Sequence, residues 1–141
     1  MTLRRQRHGG AAVELALTFS LVLFPLIVGT IEAGIYVHQL DAVAESVLVA
    51  GRAAAGVAIE DDPALVFETQ LEAELSARGL SPSPYLDNHT VSSAVSGDAP
   101  SQELSVDVSF DYGGIVGFLP TPDWIRVRRD FRLEDQVEYA E

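Results

Sequence analysis

Residues 9–34 read GGAAVELALTFSLVLFPLIVGTIEAG, and this stretch decides the architecture. Leu15 to Ile31 is 17 residues without a charge. As a helix, Ala11 to Ile31 spans about 30 Å at 1.5 Å per residue, close to the hydrocarbon thickness of a bilayer. Arg4, Arg5 and Arg7 precede it, and from Tyr36 onward six Arg stand against 19 acids. The positive-inside rule keeps the three arginines in the cytoplasm, so the acidic remainder lies across the membrane.

The chain as a whole has 141 residues, a formal charge of -12 and 48% hydrophobic residues. Intrinsic disorder needs low hydrophobicity as well as high charge and is disfavoured. Nucleic-acid binding is disfavoured because so acidic a chain repels a phosphate backbone. The absence of Cys excludes a disulfide scaffold, thiolate zinc sites and cysteine nucleophiles.

Three readings of the N-terminus compete. A secretory signal peptide has a shorter apolar core with a cleavage site soon after it, and here the best A-x-A match is as distant as Ala53 to Ala55. An uncut membrane anchor explains the length and the flanks but not Glu14. A carboxylate costs up to about 2.5–3.5 kcal/mol at the centre of a membrane helix and less near an interface. Snorkelling to the headgroups or pairing with Arg7 is the plain explanation for one Glu. The third reading takes Glu14 together with its flanks.

Basic leader, Gly, four small or apolar residues, Glu and an unbroken apolar helix form a layout that resembles type IV pilin-like precursors. The segment is similar in particular to the TadE/TadG-like pseudopilins of tight-adherence pilus systems. The matching features are the AAVELAL start, Pro25 within the apolar run, the Gly-x-Ile-Glu-x-Gly stretch from Gly29 to Gly34, and the Ala-rich stretch around Arg52. They cover about the first third of the chain. Leu15 departs from the Glu-Tyr pair of the major pilins and suits the minor, TadE-like members. The resemblance implies a processing site at Gly9 and Gly10, cut after Gly9 by a prepilin peptidase, which makes Glu14 the fifth residue of the mature chain. It implies assembly with other pilins or pseudopilins and a pilus assembly platform. Glu14 then neutralises the new ammonium of a neighbour's Gly10, a pair that acts mainly as a register device where water is excluded.

Within the helix, Pro25 removes one backbone hydrogen bond and is expected to kink it. Gly29, Gly34 and Ala50 to Gly56 suit close approach of helices. Glu32 is expected to be solvated by headgroups or water, and Tyr36 to sit at the membrane interface. After Ile35, Val37, Leu40, Ala44, Val47 and Leu48 continue at helical spacing to about Ala55. His38, Asp41 and Glu45 share one side of this helix, which is better read as a solvated face than as a metal site.

Glu60-Asp61-Asp62-Pro63 opens a second helix, with Asp61 or Asp62 as cap and Pro63 in the first position. Ala64, Phe67, Leu71 and Leu75 form its apolar stripe, and Gly79 ends it. A Ser-Pro-Ser-Pro linker follows. Strands are expected over His89–Ser96, Glu103–Tyr112 and Ile125–Leu133, the first two joined by a hairpin loop at residues 96–100. In the second strand Leu104, Val106, Val108, Phe110 and Tyr112 alternate with Ser and Asp. In the third, Arg129 interrupts an inner face of Ile125, Val127, Phe131 and Leu133. Acids on one strand and arginines on the next suit cross-strand pairing. Ile115, Val116, Phe118 and Leu119 in the connection between them are expected to cover the core.

The expected fold class is α+β: a long transmembrane helix continuing as an amphipathic helix, then a second helix and a small antiparallel sheet of about three strands. The expected division is a leader at 1–9, a membrane segment at 10–35, a helix extension at 36–56 and an extracytoplasmic domain at 57–141. No phosphate loop, dinucleotide fingerprint, zinc motif or nucleophile-base pair is visible, so neither catalysis nor a cofactor is expected. The expected function is structural: a minor pilin or pseudopilin in the cytoplasmic membrane, its N-terminus in the cytoplasm, with lipid as a partner and nucleic acid not. An uncut anchored binding module and a secreted domain remain the alternatives.

Overall fold

A computed structural model describes residues 7–57, 61–98, 101–114 and 122–133. The apolar run is helical throughout. Helix α1 (Arg7–Thr18) passes through a π-helical turn (Phe19–Leu23) into α2 (Phe24–Ala55). The extension beyond the membrane-length stretch is therefore continuous with it, as expected, and ends at Ala55. After α3 (Pro63–Ala77) come β1 (Leu86–Ser96), β2 (Glu103–Tyr112) and β3 (Trp124–Arg132). The strands form one antiparallel sheet in the order β1-β2-β3. The class is α+β.

The termini of α3 are written in the sequence. The Asp62 carboxylate accepts from Leu65 N–H at 3.4 Å, and Pro63 occupies the first turn, where a missing N–H costs nothing. At the other end Leu80 N–H bonds Leu75 C=O at 2.8 Å and Gly79 N–H bonds Ser76 C=O at 3.0 Å, a Schellman motif. Gly79 takes the left-handed φ of 68° this motif requires. Leu75 and Leu80, which flank the motif, are both buried.

The core lies between one face of the sheet and the pair α2 and α3. Phe67, Leu71 and Leu75 of α3 are buried, as the stripe implies. So are Leu104, Val106, Val108, Phe110 and Tyr112 of β2, with Ile125 and Val127 of β3. Each fully buried Leu or Phe contributes about 1.5–3 kcal/mol. The face of α2 differs from expectation. Val37 is exposed, while Val43, Val47, Ala50 and Ala54 are fully buried. Small residues carry this face because α3 and the sheet come close. A Cβ at Gly51 would fall inside the ring of Phe131. The close approach expected of the Ala-rich stretch is thus made, at Gly51, to a strand of the same chain. Buried Ser46 satisfies its hydroxyl by donating to Ala42 C=O at 2.9 Å.

Two strands differ in their bounds. β1 starts three residues before His89, because a register shift between Asp87 and Thr90, with Asn88 at φ 45°, breaks the alternation of its first residues. β3 starts at Trp124 and ends at Arg132. Arg129 stands opposite Val106 and is exposed. On the outer face Arg126 Nε donates to Asp107 at 2.8 Å, a cross-strand charge pair of the expected kind. Glu60, the last two residues of the 96–100 loop, and the four apolar residues of the β2–β3 connection lie outside the described residues.

Candidate functional site

Gly9 and Gly10 lie in the opening turns of α1, and a Cβ at either would touch nothing. Glu14 follows Gly10 by four residues and is exposed. Residues i and i+4 share a helix face, and side chains lean toward the N-terminus, so the carboxylate of Glu14 reaches back over the turn of Gly10. It is the single charge between Gly9 and Ile31. The geometry thus sets a small-residue step and a carboxylate on one face, one turn apart.

The helix around them is bare. From Gly9 to Val28 no residue is buried, and Val13, Leu15, Leu21 and Leu26 are each at least 60% exposed. An apolar surface of this extent marks contact with lipid or with other proteins. Among the described residues this is the one helix long and apolar enough to cross a membrane. Gly9 to Val28 measures about 30 Å at 1.5 Å per residue. Thr30 hides its hydroxyl within the helix by donating to Leu26 C=O at 2.8 Å.

Pro25 lies one residue into α2, directly after the π turn, which Phe24 N–H closes on Phe19 C=O. Proline at 25 cannot donate to the carbonyl of Leu21, and its ring crowds that carbonyl. The helix carries a π turn immediately before the proline, a feature that accompanies helix kinks.

Glu32 requires a correction. Expected in contact with headgroups or water, it is fully buried. Tyr112, at the end of β2, lies close enough to feel its charge. Tyr36, one turn on, meets Tyr112 at the end of β2 edge to face, with ring centroids 5.1 Å apart. The Tyr112 hydroxyl is buried without a hydrogen-bond partner among the described residues. Burial raises its pKa above the usual tyrosine value, and the charge of Glu32 and the nearby Tyr85 and Tyr36 add to the rise. The signal was present in the sequence as a spacing. Gly29, Glu32, Tyr36, Leu40, Val43, Val47, Ala50 and Ala54 recur every three or four residues, and each is buried or half-buried. One face of α2 therefore docks on the head from Gly29 upward.

The remaining polar clusters serve packing. Glu45 of α2 accepts from Arg78 at 2.6 Å, and Arg78 also meets Glu74 at 3.5 Å. The Arg78 hydrogen bond and its charge hold the Glu45 carboxyl below the usual range. Asp107 is likewise held low, chiefly by its hydrogen bond from Arg126. Glu45 is thus engaged by Arg78, while His38 and Asp41 are exposed. Among the described residues no three His, Cys, Asp or Glu are grouped to hold a metal.

Comparison with known proteins gives one family. The model of TadE-like protein matches residues 9–52. The matched stretch begins at the paired glycines, contains Glu14, Pro25 and the Gly29–Gly34 segment, and stops at Arg52 near the end of α2. It includes none of α3 or the sheet. No curated protein and no solved structure matches the chain.

Proposed function

We propose that the chain is a minor pilin or pseudopilin of a tight-adherence pilus system, structural in role. It is anchored in the cytoplasmic membrane by its N-terminal helix, with the leader in the cytoplasm and the acidic head outside. The observation that carries this reading is Glu14. It is the one charge on a bare apolar helix, a turn beyond paired glycines, inside the stretch that resembles TadE-like protein.

Lipid surrounds the helix up to about Val28, where the head begins to cover it. Prepilin peptidase cuts after Gly9. Two adjacent glycines weaken a helix by about 1 kcal/mol each relative to alanine, so this turn opens readily into the extended form a peptidase takes. Cleavage removes Arg4, Arg5 and Arg7 and leaves an α-amino group with a pKa near 7.7–8. In an array of such helices the ammonium of one Gly10 meets the Glu14 carboxylate of the next. Left unpaired in a dry interface, either group costs several kcal/mol, so the pair fixes register among other pilins or pseudopilins and on the assembly platform.

Mass spectrometry of the protein from the membrane fraction tests the reading at its first residue. A chain beginning at Gly10 is expected. A start at Met1 or Thr2 would identify an uncut anchored module, and a start beyond about residue 33 a secreted domain. Glu14→Leu is expected to insert normally and be lost from assembled complexes, and its normal incorporation would refute the register role.

A further inference from the structure

The two edges of the sheet are guarded unequally. An open edge strand offers unpaired N–H and C=O groups to any passing strand, and proteins blunt such edges with charge, proline or bulges. On β3 the blunting is heavy: Arg126, Arg128, Arg129, Asp130 and Arg132 crowd nine residues. On β1 the bulge at Asn88 protects only the beginning. Thr90 to Ser96 then carries no charge and no proline, and its outer side pairs with no strand among the described residues.

A groove lies beside this bare edge. It has a volume of about 370 Å³ and runs between β1 and α3. Its floor is apolar, made by Leu71, Leu75 and Val91, and Leu65 at its lip is 60% exposed. Its rim is acidic, with Glu68 and Glu72 on the helix side. At one point the groove is spanned, where Ser93 donates to Glu68 at 3.1 Å. His89 lines the β1 side, and neither Lys nor Arg is among the lining residues. An open strand edge with a side-chain groove under it is the arrangement by which domains capture an extended peptide as an added strand. Main-chain bonds then supply affinity and alternate side chains supply specificity.

The geometry points to a strand-addition site on β1 for an extended segment of a partner protein whose groove-facing residues are apolar and Lys or Arg. The apolar side chains fill the floor, and the basic one meets Glu68 and Glu72. A second copy that docks by the same edge, β1 against β1, fits poorly. Its own Thr90–Ser96 edge has no basic residue to offer and brings a second Glu68 and Glu72 into opposition. The residues after β3 fit no better, since they include Glu134, Asp135, Glu138 and Glu141. The site is independent of leader cleavage and of Glu14.

The test uses the full chain in lipid nanodiscs and a pool of nonapeptides. Thr occupies every second position, and Val, Leu, Lys or Glu varies at the others. Retained peptides are sequenced by mass spectrometry, and bound complexes are mapped by amide hydrogen exchange. Enrichment of Val or Leu with Lys is expected, together with slowed exchange over Thr90–Ser96 and unchanged fluorescence of Trp124 on the opposite edge. Glu72→Lys, at an exposed position, is expected to shift the preference from Lys to Glu by about fivefold, the scale of one exposed ion pair. Ala94→Lys, which installs the missing guard, is expected to abolish capture without lowering the thermal midpoint. No enrichment overturns the proposal, and so does an equal preference for Glu in the unaltered chain. Protection that falls on β3, or undiminished capture by Ala94→Lys, also overturns it. Protection of β1 that grows with protein concentration in the absence of peptide assigns the edge to self-association instead.

Discussion

Tyr112 shows how one side chain can mark where a long apolar helix becomes part of a globular head. Its ring packs on Tyr36, and its buried hydroxyl lies within reach of the Glu32 charge. A tyrosine whose folded pKa is raised contributes stability that is fully present below the unfolded value near 10. That stability is lost as pH rises through the higher folded value. The hydroxyl also lacks a hydrogen-bond partner among the described residues. Tyr112→Phe is therefore expected to leave the thermal midpoint at pH 7 unchanged or slightly higher. It is also expected to flatten the fall in midpoint above pH 10, which a pH series of melting curves would reveal. Glu32 itself was legible only in part. Its identity suggested a solvated edge, whereas its place in the three-four spacing with Gly29 and Tyr36 suggested burial. The spacing decided because Tyr112, distant in sequence, packs on Tyr36 beside that turn.

Among the elements, α3 and β2 were the most legible, since local chemistry fixes both. The Asp62 cap, Pro63, the Phe67-Leu71-Leu75 stripe and Gly79 each act within a few residues. The alternation of β2 needs no knowledge of its partners. Gly79 has no neighbour to clash with, so its role is conformational alone. Gly79→Ala is expected to cost about 1–2 kcal/mol, with Asn recovering part, as measured by urea denaturation. The core face of α2 was less legible. Gly51 looked like a helix-approach residue and proved to be the recess for the Phe131 ring, a contact 80 residues away that no local pattern encodes. Gly51→Ala is expected to destabilise by about 1–3 kcal/mol through overpacking. In a double-mutant cycle Phe131→Leu should remove much of that penalty. Additive costs would mean that the ring and the glycine do not share the space.

At the scale of the molecule, the -12 of the whole chain separates into a basic N-terminus, a nearly neutral helix and a head that carries the acidity. The core begins no lower than Gly29. Removing residues 1–28 is therefore expected to leave a folded, detergent-free head that elutes as a discrete species, with a thermal midpoint within a few degrees of the full chain. An unfolded or aggregated product would show that the bare helix contributes to the core after all. What the sequence could not disclose at this scale was attachment. Composition divides the chain near residue 35, yet the head grips α2 from Gly29 to Ala54. That grip has a mechanical consequence. About 37 Å of helix is fastened along one side at 1.5 Å per residue, so it has no freedom to swivel beneath the strands. A push or pull applied along the axis at Glu14 is delivered to the sheet as a rigid displacement, and any bending is confined to the stretch below Gly29, where the π turn lies.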